Sequence, residues 1–350
     1  AKSQLPRVTQ VSAASAETAG SASDPVALHA SQNLRVMSLE VHVRTSGERK
    51  PNPGAAEDAS NHAQPGDPVL FAVYVTRTDR VPAPGAPAEV EWRCGAIFRT
   101  DADAGGPFGA AAVAGGGADA AAAAARRAVR RLRGLLKASG GEAAELGEDD
   151  VTMVDGEVSL VRAVGAAVQS LDPDILLAWD INRASFGFLL ERANVLGIEP
   201  PLLRTLGRTP GVEGRNERAG HDEWGARTNS HIHVVGRLFL CGWRLAVGEL
   251  KLMDYTLPAV AAHLLRRRVP KFTHATLTRW WDGAASADSG AVENRDASAA
   301  RALAHTLQWA RLSLEACDGM ELIARASEMA RVYGIDLHSV LTRGSQYRVE

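Results

Sequence analysis

The feature that most narrows the fold of this chain is a short, uninterrupted apolar run, Ile175-Leu176-Leu177-Ala178-Trp179, held between Asp172-Pro173-Asp174 and Asp180. It is too short for a buried helix and lacks the alternation of a half-wet strand. It therefore reads as a central strand covered on both faces. Before it, Glu157 to Leu171 sets Leu160, Val161, Val164 and Val168 on one side, the pattern of an amphipathic helix. After it, residues 184–196 read as a second helix, with Gly197 at the position where a left-handed C-terminal residue is favoured. A strand between two helices calls for an α/β architecture.

The residues upstream supply more strands. Leu34 to Val43 alternates and is rich in β-branched residues, Val69 to Val75 repeats the pattern, and Val90 to Phe98 reads as a third strand. Strands in series before any clear helix predict an antiparallel start to a mixed sheet. Residues 46–67 read as a loop. Residues 1–33, rich in Ser, Ala, Thr and Gln, read as a linker or loosely attached arm. Residues 102–148 are dominated by Ala and Gly and contain Arg126, Arg127, Arg130, Arg131 and Arg133. This stretch reads as a partly helical low-complexity insertion with solvated arginines, or as a patch for DNA or a partner. Residues 207–230 are loop-like, and His231 to Val247 suits a hairpin around Gly236 or Gly242. The C-terminal third is mainly helical, over 257–268, 274–282, 296–315 and 317–333.

Bulk composition sets limits. The net charge is −2, so any contact with nucleic acid must come from a local patch and not from the overall field. Cys94, Cys241 and Cys317 are far apart, without a Cys-x-x-Cys pair, which argues against a zinc ribbon or iron–sulfur site here and suits a reducing compartment. No apolar run approaches the ~20 residues needed to cross a bilayer. The chain begins at Ala1 and has no secretory leader pattern, and reads as a segment of a longer protein.

Several segments in order resemble B-family DNA polymerases, and within them the zeta branch. They are Ser38-Leu39-Glu40-Val41-His42-Val43, Asp172-Pro173-Asp174-Ile175-Leu176-Leu177 and Leu189-Leu190-Glu191-Arg192-Ala193. Further along come Arg215-Asn216-Glu217-Arg218, His221-Asp222-Glu223-Trp224-Gly225, Gly236-Arg237, Tyr255-Thr256-Leu257, Ser327-Glu328-Met329-Ala330-Arg331 and Leu341 to Glu350. The resemblance covers residues 34–100 and 151–350. It implies an RNase H-like exonuclease domain over 34–335, with 336–350 leading towards a polymerase palm. It also implies a parent DNA-directed DNA polymerase that acts in the nucleus on template-primer DNA, in repair and lesion bypass, with accessory subunits. Magnesium in the palm and an iron–sulfur cluster at the parent's C-terminus are implied in the same way, with no cofactor in this segment.

Family members that proofread hold two metal ions ~4 Å apart. These hard ions are bound by carboxylates from three motifs. The first, Asp-x-Glu on a strand, sets both acids on one sheet face; here it reads Ser38-Leu39-Glu40. The second, Asn-x-x-x-Phe-Asp, reads Asp180-Ile181-Asn182-Arg183-Ala184-Ser185. The third, Tyr-x-x-x-Asp, falls on His305 and Trp309 when counted back from Glu328. Only Glu40 of the four ligands is kept, so the expectation is a degenerate nuclease with a structural role. The alternatives are an active metal-dependent 3′–5′ exonuclease, or a module that docks accessory subunits. Glu40 and Asp180 form a weak candidate for one metal, against Asp180 merely capping its turn. His231 and His233, two apart, are half a zinc site at best. Arg266, Arg267, Arg268 and Arg343 are candidates for DNA contact. Trp280-Trp281 reads as a packing anchor, and Glu191-Arg192 as paired charges.

Overall fold

The computed structural model describes residues 34–45, 51, 66–80, 89–108, 118–140, 146–147, 149–212, 214–216, 231–283 and 292–343. The proposed arm at 1–33 and the last seven residues lie outside them, as do the zeta-like segments at 217–225. The chain forms a mixed six-stranded sheet in the order β4-β3-β2-β1-β5-β8. The strands are β1 (Arg35–Val43), β2 (Val69–Arg80), β3 (Glu89–Arg99), β4 (Val151–Val154), β5 (Ile175–Ala178) and β8 (Leu238–Cys241). A second small sheet joins β6 (Arg215–Asn216) to β7 (Ile232–His233). As the sequence suggested, β1, β2 and β3 form an antiparallel series, while β5 joins β1 in parallel and is buried throughout.

The two faces of the sheet carry separate cores. On one lie α2 (Glu157–Leu171), α3 (Ser185–Val195) and α4 (Leu202–Thr205), packed on Met37, Leu39, Leu176 and Phe239. Phe186 of α3 meets Phe239 of β8 edge-on, 5.5 Å apart at 79°. On the other face lie α1 (Ala118–Ser139), α5 (Gly242–Glu249), α6 (Leu257–Leu264), α7 (His274–Asp282) and the long α8 (Val292–Gly319). These pack on Val36, Val73, Ala96, Ile175 and Leu177. Helices α9 (Leu322–Tyr333) and α10 (Leu337–Arg343) follow. The bounds expected for α2 and α7 hold.

Four expectations need correcting. The hairpin over 231–247 is only a tight turn, in which Gly236 takes a φ of 83° and a single bridge joins Val234 to Arg237. Strand β8 then pairs with β5 in parallel, and Gly242 opens α5. The apolar Leu238-Phe239-Leu240-Cys241 buries side chains on both faces of the sheet, so it belongs beside β5 and not in a solvated ribbon. Helix α6 stops at Leu264 rather than 268, because Arg266 takes a left-handed φ of 56°. The last two long helices divide later than expected, at Gly319 to Glu321, where Glu321 has a φ of 53°. Regular structure also resumes earlier than Glu157, since β4 adds an edge strand parallel to β3.

The low-complexity stretch is helical, and it is also core. Ala125, Ala128, Val129, Leu132 and Leu136 of α1 are buried together with Ala299, Leu303 and Leu307 of α8. Nearby, Trp281 is fully buried among Phe71, Phe98 and Phe108, and its indole Nε1 donates to the Ala104 carbonyl at 3.0 Å. That settles the tryptophan pair as a packing anchor at Trp281. Truncating Leu132 to Ala should therefore cost ~2–5 kcal/mol, as for other large-to-small core changes. Arg126→Ala on the opposite, exposed side should change stability by no more than ~0.5 kcal/mol. Urea denaturation of both variants measures the contrast.

Candidate functional site

The positions expected for a nuclease fall on β1, around the start of α3 and in the middle of α8. On β1, period-two alternation sends Ser38, Glu40 and His42 to one face, the face covered by α7 and α8. Ser38 is fully buried, and its Oγ makes no hydrogen bond within the described residues. Glu40 keeps only a partial opening to solvent. Burial first, and the charge of Asp180 second, push its carboxyl up to about 8. At neutral pH this acid is therefore mostly protonated.

Asp180 follows β5 and is exposed. Its Oδ1 accepts from the Arg183 amide at 3.3 Å, and its carbonyl accepts from Ala184 N at 3.0 Å, so it caps the turn into α3. The chain reverses tightly there. Gly187 donates to the Ile181 carbonyl at 2.8 Å, and a Cβ on Gly187 would lie only 2.0 Å from the Asn182 oxygen. Ser185, where the second motif needs Asp, is fully buried with a φ of 50°. Its hydroxyl donates to the Leu39 carbonyl at 2.5 Å, which ties α3 to β1. A left-handed non-glycine residue costs ~1–2 kcal/mol, and this bond helps to offset it.

His305 and Trp309 lie one turn apart on α8 with ring centroids 5.3 Å apart. His305 is buried, also against Phe272 at 5.0 Å, and burial lowers its imidazole to about 4. Trp309 is half-buried and lines a cleft of about 680 Å³ with Asp180, Asn182 and Arg183. The far wall carries Trp179, Trp243, Arg244, Tyr255 and Lys271. Trp243, Arg244 and Lys271 were not singled out in the sequence; Trp243 and Arg244 sat inside the expected hairpin. The turn from β8 into α5, fixed by Trp243 N donating to Trp179 O at 2.9 Å, is what aims them here.

The other candidates scatter. His231 lines this cleft, with Nε2 3.0 Å from an Arg244 nitrogen, while His233 faces another cleft and meets His338 edge-on at 6.0 Å. The two histidines do not share a site. Arg267 pairs with Glu315 at 2.7 Å, and Arg266 and Arg268 are exposed. Arg343 ends α10, and its side chain lies outside the described residues. Arg192 is not a surface charge. It grips Glu157 through two 2.8 Å bonds, and Glu157 also accepts from the Val69 amide at 2.9 Å.

An RNase H-like sheet with these strand and helix motifs in this order defines a class. The chain carries the exonuclease domain of DNA polymerase family B, which matches residues 138–260. Beyond that span it is similar to catalytic subunits of DNA polymerase zeta. It is 32% identical to the human protein over 325 residues, which is 93% of this chain and 9% of that protein. It is 40% identical to the Arabidopsis thaliana protein over 204 residues, 51% of this chain and 10% of that protein. It is also 30% identical to the DNA polymerase delta catalytic subunit of Drosophila melanogaster over 211 residues, covering 59% of this chain and 18% of that one. The chain thus spans about a tenth of the length of the zeta relatives.

The acidity of Glu40 gives a signature in stability. Its folded value of about 8 lies above the unfolded 4.5, so the folded state holds the extra proton. The stabilisation is complete below 4.5 and is lost as pH rises through 8, at up to ~1.4 kcal/mol per unit. His42 and His305, lowered by burial to about 3 and about 4, act in the opposite sense but only below 6.5. Asp318, raised to about 6, is charged in both states above that value. Between pH 6.5 and 8 the slope therefore belongs to Glu40. Stability should fall across that window, and Glu40→Gln should flatten the fall, as read from urea midpoints.

Proposed function

We propose that this domain keeps the exonuclease fold without the chemistry and acts as a structural element of a zeta-like translesion DNA polymerase. The single observation that carries the reading is the donor set at the four ligand positions. Ser38 offers a buried neutral hydroxyl, and Ser185 commits its hydrogen to a backbone carbonyl. Trp309 has no oxygen to give, which leaves Glu40 as the one carboxylate among the four positions. Hard dications stripped of part of their water require anionic oxygens. This set supplies almost none, so the residues do not fit a pair of metal ions, and no hydrolytic step is assigned through them.

In this proposal the sheet and its helices serve as a rigid block beside the polymerising domains and help to frame the path of template and primer. Arg266 and Arg268 are proposed to face phosphate. The parent's nucleotidyl transfer with magnesium, its iron–sulfur cluster, its accessory subunits and its nuclear site of action belong to the same proposal.

The test is direct. A 5′-labelled single-stranded oligonucleotide incubated with the purified chain should show no shortening above a protein-free blank, with magnesium or with manganese. Metal-dependent release of nucleotides that vanishes in Glu40→Ala would establish an active exonuclease and overturn the reading.

A further inference from the structure

The turn after α4 is anchored at its base and open at its tip. Gly207 N donates to the Arg204 carbonyl at 3.2 Å, and Arg208 N donates to the Val235 carbonyl at 3.1 Å. The Arg208 side chain is engaged by Asp172, by Asp174 and by the Gly236 carbonyl. Beyond that anchor, Thr209, Pro210, Gly211 and Val212 are all exposed. Pro210 followed by Gly211 at a φ of 81° is the central pair of a type II turn, which puts Thr209 at its first position. The Thr209 side chain makes no hydrogen bond among the described residues. The sequence has 16 prolines, and Pro210 is the one that follows a serine or a threonine. Beside the turn, a cleft of about 780 Å³ is lined by Pro210, Gly211, Arg204, Arg208 and Arg237, with Asp172 as its acid. Arg208 and Arg237 both pair with Asp172, whereas Arg204 is exposed and makes no ion pair among the described residues.

We propose that Thr209 is a phosphorylation site for a proline-directed protein kinase, and that the attached phosphate pairs with Arg204. The γ-phosphoryl group of ATP passes to Oγ1 of Thr209. A new O–P bond forms there, the bond to the β-phosphate oxygen breaks, and ADP leaves while a base of the kinase takes the hydroxyl proton. Pro210 carries no N–H, so a kinase site that offers no acceptor at this position takes it and leaves nothing unpaired. Any other residue would bury a bare N–H there. The tip can enter such a site without loosening the anchor, because the bonds that fix the turn belong to Gly207 and Arg208. The product carries roughly −1.5 to −2 charges and three strong acceptor oxygens. Arg208 and Arg237 are already matched by carboxylates, which leaves the Arg204 guanidinium as the partner that gains an ion pair without giving one up. The site lies by Asp172, at the end of β5 away from Asp180, and is separate from the nuclease positions.

The experiment incubates the 350-residue chain with magnesium, ATP and each of two purified proline-directed kinases, one cyclin-dependent and one mitogen-activated. Intact mass should show one added phosphoryl group with at least one of them, and fragment spectra should place it on Thr209. Thr209→Ala and Pro210→Ala should each abolish incorporation, and Thr209→Ser should keep it, with circular dichroism showing an intact fold in all three. Phosphorus NMR of the phosphorylated chain then follows the second ionisation of the phosphate, which lies near pH ~6 in the absence of a partner. Pairing with Arg204 should lower it by ~0.2–0.7 of a pH unit, the reach of an exposed ion pair. Arg204→Gln should reverse that shift, whereas Arg331→Gln, on α9, should leave it in place. Absence of phosphate from Thr209 with both kinases would overturn the proposed site. A phosphate ionisation that Arg204→Gln leaves unmoved would overturn the proposed pairing.

Discussion

The sheet is held in register at one end by a buried guanidinium. Arg237, whose side chain is 2% exposed, donates from Nε to the Leu206 carbonyl at 2.8 Å and from Nη1 to the Pro173 carbonyl. It also pairs with Asp172 at 2.8 Å. Arg208 adds bonds of 2.8 Å to Asp172 and to Asp174, and Asp174 in turn accepts from the Arg35 amide at 2.9 Å. These hydrogen bonds of Arg208 are the main reason the Asp172 carboxyl sits below its usual range. The outer pairs with Arg208 contribute little by themselves, since exposed ion pairs are worth ~0–1 kcal/mol. The buried fork is different: without it, two carbonyls lose their donors, at ~1–3 kcal/mol each. The Asp-Pro-Asp motif that helps to mark the family is thus a clamp on β1, β5 and the turn before β8. It lies at the end of β5 opposite Asp180.

Much of this architecture was legible in the residues. The run from Ile175 to Trp179 announced a covered strand, and the spans read for α2 and α7 match the helices to the residue. Failures came where a partner decides the structure. Leu238 to Cys241 reads equally as half a hairpin or as a parallel strand, and only the neighbouring β5 resolves it. Strand β4 is four residues long and sits between a low-complexity stretch and α2, too short for a period to emerge. The alanines of α1 looked like filler, because burial by a helix such as α8 is not written into local composition.

The site divides in the same way. The family resemblance placed Ser38, Glu40, Ser185, His305 and Trp309 at the nuclease positions. It could not reveal that Glu40 is recessed near Asp180, that the Ser185 hydroxyl is committed to Leu39, or that Trp243, Arg244 and Lys271 close a cleft around Trp309. Those depend on how β1, β8 and α8 approach one another, which is a property of the assembled core.

The bond from Ser185 to the Leu39 carbonyl also restricts which side chains position 185 accepts. A carboxylate placed at position 185 would direct its oxygens at the Leu39 carbonyl oxygen that the hydroxyl now satisfies, so two acceptors would face each other inside the core. Position 185 is therefore built for a small neutral donor, and a charged side chain there would have to break the tie between α3 and β1.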